Sequence, residues 1–233
     1  MTAMPQILFV HSSVLSGEVS APNQGNDTRR MARILKNRIK GQGVRIVDRD
    51  IAARPPMMVD QNFVHAANTA APLRTCAQSE RLKESDELVD EVLKSDVIVL
   101  SCPIYRNGVP APLRAWVRNI VRPGMTFNTV EGKKRTMHYG LLHNKMFVLL
   151  QSAHEESANG DVFKAASNGQ DAPELAVTDT LSRLGVHNIA RVSVRTDPAD
   201  KMHYARSWAQ CEGDIASVAE RLKTRWRDQR CDA

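Results

Sequence analysis

The chain has 233 residues, 42% of them hydrophobic and 25% charged, the composition of a soluble globular chain rather than a fibrous or disordered one. Its formal charge of +6 gathers at 29–40 and 221–230, which reads as solvated helix faces or as attraction for anions such as a dinucleotide. No zinc finger, RNA-recognition motif or aromatic platform accompanies that charge, so no specific nucleic-acid partner is expected.

Residues 6–10 form a short apolar run ending in polar Ser12 and Ser13, the pattern of a buried strand that delivers a loop. Residues 16–28, rich in Ser, Gly, Pro and Asn, continue as loop. From Asp27 a helix follows, with Met31, Ile34, Leu35 and Ile39 on one stripe and Gly41 and Gly43 as its stop. A second strand is expected at 44–47. Residues 54–73 hold three prolines and no clear period, which reads as an irregular excursion, a lid or a partner surface.

Leu82, Leu88, Val89, Val92 and Leu93 make the next helical stripe, and 97–100 is an unbroken apolar run suited to a strand covered on both faces. Residues 102–110 read as loop, and Leu113, Trp116, Val117 and Ile120 as a helix stopped near Pro123 and Gly124. The polar stretch 125–144 suits a hairpin or a flap. A buried strand at 146–150 precedes a polar loop at 151–161. A helix with Val177, Leu181 and Leu184 leads to a fifth strand at 186–194, and a last helix carries Trp208, Ile215, Val218, Leu222 and Trp226.

This alternation of strands and helices predicts a single α/β domain over 1–233, with a parallel sheet and helices on both faces. No apolar run approaches the length of a membrane span, and residues 1–10 lack the pattern of a secretory signal, so the cytoplasm is the expected location. The four cysteines form no C-x-x-C pair, and Cys102 reads as a small buried hydrophobe. The histidines show no metal-ligand spacing, so no metal is expected. G-x-S-x-G is absent, which argues against a serine hydrolase.

Ligands of an open parallel sheet sit beyond the carboxyl ends of its strands. Three loops should open there, at 11–28, 103–108 and 151–160. The first leads into a helix N-terminus, where free N–H groups suit a phosphate. Ser12, Ser13, Ser20, Asn26 and Thr28 surround it, although Asn26 or Asp27 as a simple helix cap accounts for the same residues. The loop lacks both the P-loop and the G-x-G-x-x-G pattern. In the second loop, Pro103, Ile104, Tyr105, Arg106 and Asn107 suit a flat ring, and Tyr105 either stacks on it or packs on the next helix.

The stretches Val10-His11-Ser12-Ser13 and Ser85-Asp86-Glu87-Leu88 resemble the FMN-dependent NADH-azoreductase family, whose members are also flavodoxin-fold quinone reductases. So do residues 96–100 through Pro103-Ile104-Tyr105-Arg106-Asn107, Gly124-Met125-Thr126-Phe127, Gly140-Leu141-Leu142 and Lys145. The likeness spans about residues 6–195 and is densest over 85–150.

It implies a flavodoxin-like, five-stranded parallel sheet and a homodimer with one FMN per site, lined partly by the partner. NADH or NADPH gives hydride to flavin N5, and a quinone, azo or nitro aromatic takes it, so no side chain is assigned a catalytic role. Ser12 or Ser13 with Ser20, Asn26 and Thr28 would hold the phosphate, and 103–107 would line the isoalloxazine. Phe127 would sit near the substrate or the dimer seam.

Where the family has a glycine-rich turn, this chain has Gln151-Ser152-Ala153-His154-Glu155, with no glycine before Gly160. Gln151, Ser152 and His154 there are expected either to bond flavin or substrate or, for His154, to be an ordinary exposed loop histidine. A diverged flavodoxin-fold protein that binds FMN or another ligand without turnover is the alternative.

Overall fold

The computed structural model describes residues 4–14, 27–104, 108–131, 136–154, 173–196 and 201–231. In chain order the elements are β1 (Gln6–His11), α1 (Asp27–Ile39), β2 (Arg45–Asp50), α2 (Gln61–Asn68), α3 (Cys76–Lys94), β3 (Val97–Ile104) and α4 (Ala111–Ile120). They continue with β4 (Phe127–Glu131), β5 (Thr136–Gly140), β6 (Met146–His154), α5 (Pro173–Arg183), β7 (Asn188–Thr196) and α6 (Lys201–Cys231). Five strands pair in parallel in the order β2-β1-β3-β6-β7, the parallel sheet anticipated from the alternation and the five-stranded form implied by the resemblance.

Strand periodicity explains how both faces are covered. Successive side chains point to opposite faces, so Ile7 and Phe9 of β1 join one core with α1 and α6, while Leu8 and Val10 join the other with α3, α4 and α5. β1 is buried along its whole length and β3 over all but its last residue. β2 lies at the sheet edge, and its sequence RIVDRD is charged and half exposed, which protects that edge from pairing with another chain. All five apolar residues of the last helical stripe, Trp208 to Trp226, are buried.

The excursion at 54–73 is more ordered than its composition promised. Asp60 caps α2 by accepting the Phe63 N–H at 2.8 Å. Phe63, Ala66 and Ala67 then bury against Leu82 of α3. An eight-residue helix is marginal on its own, so this packing is what holds it. A Thr75/Gln78 capping box starts α3. Within 125–144, where a hairpin or a flap was expected, β4 and β5 pair antiparallel with Phe127 opposite Gly140. A Cβ on Gly140 would fall 1.8 Å from the Leu184 carbonyl carbon, so only glycine lets the hairpin lie against the end of α5.

Two boundaries differ from the sequence reading. β3 runs on through Pro103 and Ile104, and β6 through Gln151 and Ser152 to His154, where loops were expected. The strands pair with each other here, Cys102 with Gln151, Pro103 with Ser152 and Ile104 with Ala153. β1 has already ended opposite Ser101, so β3 is an edge on that side, where a proline is tolerated. β6 is supported on its other side by β7, up to His154 opposite Thr196.

Candidate functional site

The sheet order reverses at β1, with β2 on one side and β3 on the other. The crevice beyond the carboxyl ends of β1 and β3 is therefore where a ligand is expected. The chain leaves β1 through Ser12 and Ser13, both fully buried. Ser12 is committed to the scaffold: its N–H and its Oγ both donate to the Ser101 carbonyl, at 3.1 and 2.7 Å. Ser13 is not. Among the described residues its Oγ has no hydrogen-bond partner, nor do Thr28 Oγ1 in the first turn of α1 and Ser101 Oγ in β3. Each is a buried hydroxyl, a group that costs about 1–3 kcal/mol when left unsatisfied. The donors therefore fit a ligand that brings acceptor oxygens, as a phosphate does.

Arg29 fixes this edge. Its Nε and Nη2 donate to the Ser13 carbonyl at 3.2 and 2.6 Å, and its Nη1 and Nη2 reach the two Asp50 oxygens at 2.8 and 3.1 Å. Asp50 ends β2 and also accepts the Ala52 and Ala53 N–H groups. Burial works to raise the Asp50 pKa, but the Arg29 hydrogen bonds and the backbone donors outweigh it and hold the carboxyl below its usual range. On the same face, His11 Nε2 lies 2.8 Å from Asp48 Oδ1, and Lys36 bonds the same oxygen. Burial of Asp48 is outweighed by these two partners, which bring its pKa down to about 2.

The start of α1 is tied to the start of α6. Tyr204 donates to Asp27 Oδ1 at 3.2 Å, with burial and then Asp27 raising the phenol's pKa. Arg30 lies 3.8 Å over the Trp208 ring. Arg29, Asp50 and Tyr204 were not expected here from the sequence. The position of Arg29 directly after Thr28 was the available signal, but its partner at the end of β2 is set by the fold.

Of the residues anticipated as cofactor ligands, the structure brings Ser12, Ser13 and Thr28 to one side of the crevice. It places Pro103, Ile104, Gln151 and Ser152 on adjacent strand ends, with Gln151 and Ser152 buried. Pro103, Ile104, Gln151 and Ser152 are thus strand residues rather than loop residues, a correction that follows from the β3–β6 pairing. Ser20, Asn26, Tyr105, Arg106 and Asn107 lie outside the described residues, as does the side chain of His154.

Phe127 stands apart from this group. It pairs with Gly140, which abuts Leu184 and Gly185 just before the amino end of β7, whereas Ser13 and Ser152 lie at carboxyl ends. A buried network holds it there. The fully buried Arg122 has Nη1 2.7 Å from both Ser85 Oγ and Asp86 Oδ1. Ser85 Oγ donates to the Asn119 carbonyl. The Arg122 N–H donates to Thr126 Oγ1, and its carbonyl accepts from Met125 and Thr126. Burial lowers the Arg122 pKa and Asp86 opposes it. The Ser85-Asp86 and Gly124-Met125-Thr126-Phe127 stretches are therefore two halves of one device that sets the root of the hairpin.

Among the described residues no group of three or more His, Cys, Asp or Glu side chains is placed to hold a metal ion. No helix among them is long and apolar enough to cross a membrane. Cys102 is buried, and burial pushes the Cys211 thiol up to about 12, the opposite of an activated nucleophile.

Residues 14–211 match the family model described as flavodoxin-like fold. The FMN-dependent NADH:quinone oxidoreductase of Beijerinckia indica is 33% identical over 166 residues, 69% of this chain and 72% of that protein. FMN-dependent NADH:quinone oxidoreductase 2 of Pseudomonas putida is 27% identical over 210 residues, 89% of this chain and all of that one. Among solved structures, an azoreductase from Bacillus anthracis superposes with a TM-score of 0.76 at 16% identity, over 94% of this chain and 100% of that one. An FMN-dependent NADH-azoreductase from the same species, in complex with FMN, gives 0.71 at 14% identity, over 93% and 100%. At such identity these two structures speak to the fold.

Proposed function

The chain belongs to the flavodoxin-like fold family and is related to FMN-dependent NADH:quinone oxidoreductases, and from that premise we propose that it is an FMN-dependent oxidoreductase that uses NADH to reduce a quinone or an azo or nitro aromatic. The observation that carries the reading in this chain is the set of buried hydroxyls of Ser13, Thr28 and Ser101 at the carboxyl edge, unpartnered among the described residues. Ser13 and Thr28 would hold the phosphate, with Ser20 and Asn26 beside them in sequence. Ser12, bonded back to Ser101, positions Ser13. Pro103 and Ile104 at the end of β3, with residues 105–107 after them and Gln151 and Ser152 on the neighbouring β6, would line the isoalloxazine.

When bound, FMN supplies the hydride relay between nicotinamide and acceptor; the protein supplies binding and orientation. A homodimer in the cytoplasm is part of this reading. Phe127 stands away from the crevice of its own chain, so a substrate contact from it would be made across the dimer seam. The exposed apolar side chains of the hairpin, Val130, Met137 and Tyr139, and of the excursion, Met57, Met58 and Leu73, support such a seam.

One observation favours a second reading, ligand binding without turnover. β6 runs straight through 151–154, so side chains stand where the family has a glycine-rich turn. A visible spectrum separates the two. The protein is incubated with FMN, desalted and then mixed with NADH and menadione. Retained flavin bands that bleach with NADH and recover with menadione are expected. Bands that stay unbleached favour the second reading with FMN as the ligand, and no retained flavin contradicts the first reading and leaves the second with another ligand.

A further inference from the structure

Arg29, in the first turn of α1, spends four of its five N–H donors on the protein. Two of its nitrogens hold the Ser13 carbonyl and two hold the Asp50 carboxylate. Its charge is paired with Asp50, so it is poorly placed to act as a phosphate ligand. What it does is orient a peptide plane. A trans peptide points its C=O and N–H in opposite directions. With the Ser13 carbonyl turned onto Arg29, the Val14 N–H is turned away from it, and that N–H has no partner among the described residues. Arg29 directly follows Thr28 in α1, so the same fork holds the start of the helix and its unpartnered Thr28 hydroxyl against the strand end that carries Ser13.

We propose that the Arg29–Asp50 fork is a positioning clamp that shapes the phosphate-binding edge, working through the Ser13–Val14 peptide rather than through its charge. The inference rests on the reading of this edge as the place of the FMN phosphate. It makes Arg29 a positioning residue, and it predicts a selectivity that a merely structural arginine would not produce. Riboflavin shares the ring and ribityl chain of FMN but lacks the phosphate. Loss of the clamp should therefore weaken FMN and spare riboflavin.

The experiment is a pair of fluorescence-quenching titrations, FMN and riboflavin, on the full chain and on Arg29→Lys, Arg29→Met and Asp50→Asn. Lysine keeps the charge but cannot make the fork. Asp50→Asn removes the anchor while leaving the arginine less neutralised, so a charge contact would tighten FMN and a clamp would loosen it. Expected is an FMN Kd raised about tenfold in all three variants, with riboflavin changed by no more than about twofold.

Wild-type FMN affinity in Arg29→Lys, or tighter FMN in Asp50→Asn, would overturn the clamp. So would an equal loss of both flavins, which would make Arg29 a fold residue only. Should either Arg29 variant fail to fold, Asp50→Asn alone decides. Unmodified protein that binds FMN no better than riboflavin would overturn the phosphate reading itself, and the clamp with it.

Discussion

At the amino end of the sheet, Gln6, Ser95, Asp96 and Lys145 bond to one another and to the backbone. The Gln6 N–H donates to Asp96 and its side-chain amide to Ser95, at 2.8 and 3.0 Å. Ser95 Oγ donates to the Glu91 carbonyl, and Lys145 Nζ to the carbonyls of Leu93 and Ser95. At the carboxyl end, Ser13, Thr28 and Ser101 bury hydroxyls that have no partner among the described residues. One sheet thus carries two kinds of buried polarity. At the amino end, Gln6, Ser95 and Lys145 find their partners within the protein, as folding asks of buried polar groups, while Arg122 Nε and Nη2 and Asn119 Oδ1 at the hairpin root find none among the described residues. At the carboxyl end the unpartnered hydroxyls lie where open parallel sheets bind ligands, and a bound phosphate would supply their acceptors.

The contrast can be broken from either end. Lys145→Met should cost about 2 kcal/mol of stability, since it strips two backbone carbonyls of a charged donor. It should leave the FMN Kd unchanged, because the lysine sits at the end remote from the crevice. Denaturant unfolding and a flavin titration on the same variant check both halves. A large loss of FMN affinity with little loss of stability would reverse the assignment of the two ends.

A smaller effect sharpens it. Asp48 lies on the face of the sheet that carries His11, yet its hydrogen bonds are already made inside the protein, with His11 and Lys36. Its pKa is lowered from 3.8 to about 2. A depressed carboxylate contributes stability that is present above its ordinary value and is lost as pH falls toward the folded one. The flavin-free protein should therefore lose Tm between pH 3.8 and about 2 more steeply than Asp48→Asn does. Parallel curves for the two would show that the pair contributes nothing.

Much of the architecture could be read in advance because strands and helices announce themselves by period. The stripe from Met31 to Ile39 and the run 97–100 each report burial on a fixed face. Strand ends do not announce themselves. Pro103 and Gln151 look like loop residues, and they are strand residues only because β3 and β6 extend together past the end of β1. α2 was missed because its apolar face is only Phe63, Ala66 and Ala67, although Asp60 offered a cap.

The site was legible as residue types, and Ser13 and Thr28 do lie at the end of β1 and the start of α1. Its division of labour was not. That Ser12 is consumed by Ser101, that Arg29 is consumed by Ser13 and Asp50, and that Phe127 stands away from the crevice are tertiary facts that no local pattern encodes.

If the carboxyl edge is built for a phosphate, its Ser13 and Thr28 hydroxyls serve the ligand and not the fold. The most direct test is Ser13→Ala with Thr28→Ala, measured for FMN affinity and for the stability of the flavin-free protein. Removing an unpartnered buried hydroxyl removes a cost rather than a bond, so the flavin-free variant should be as stable as the parent or more so. Its FMN Kd should rise by about tenfold or more. A variant that loses stability without flavin while keeping its FMN affinity would show that these hydroxyls serve the fold, and would contradict the account.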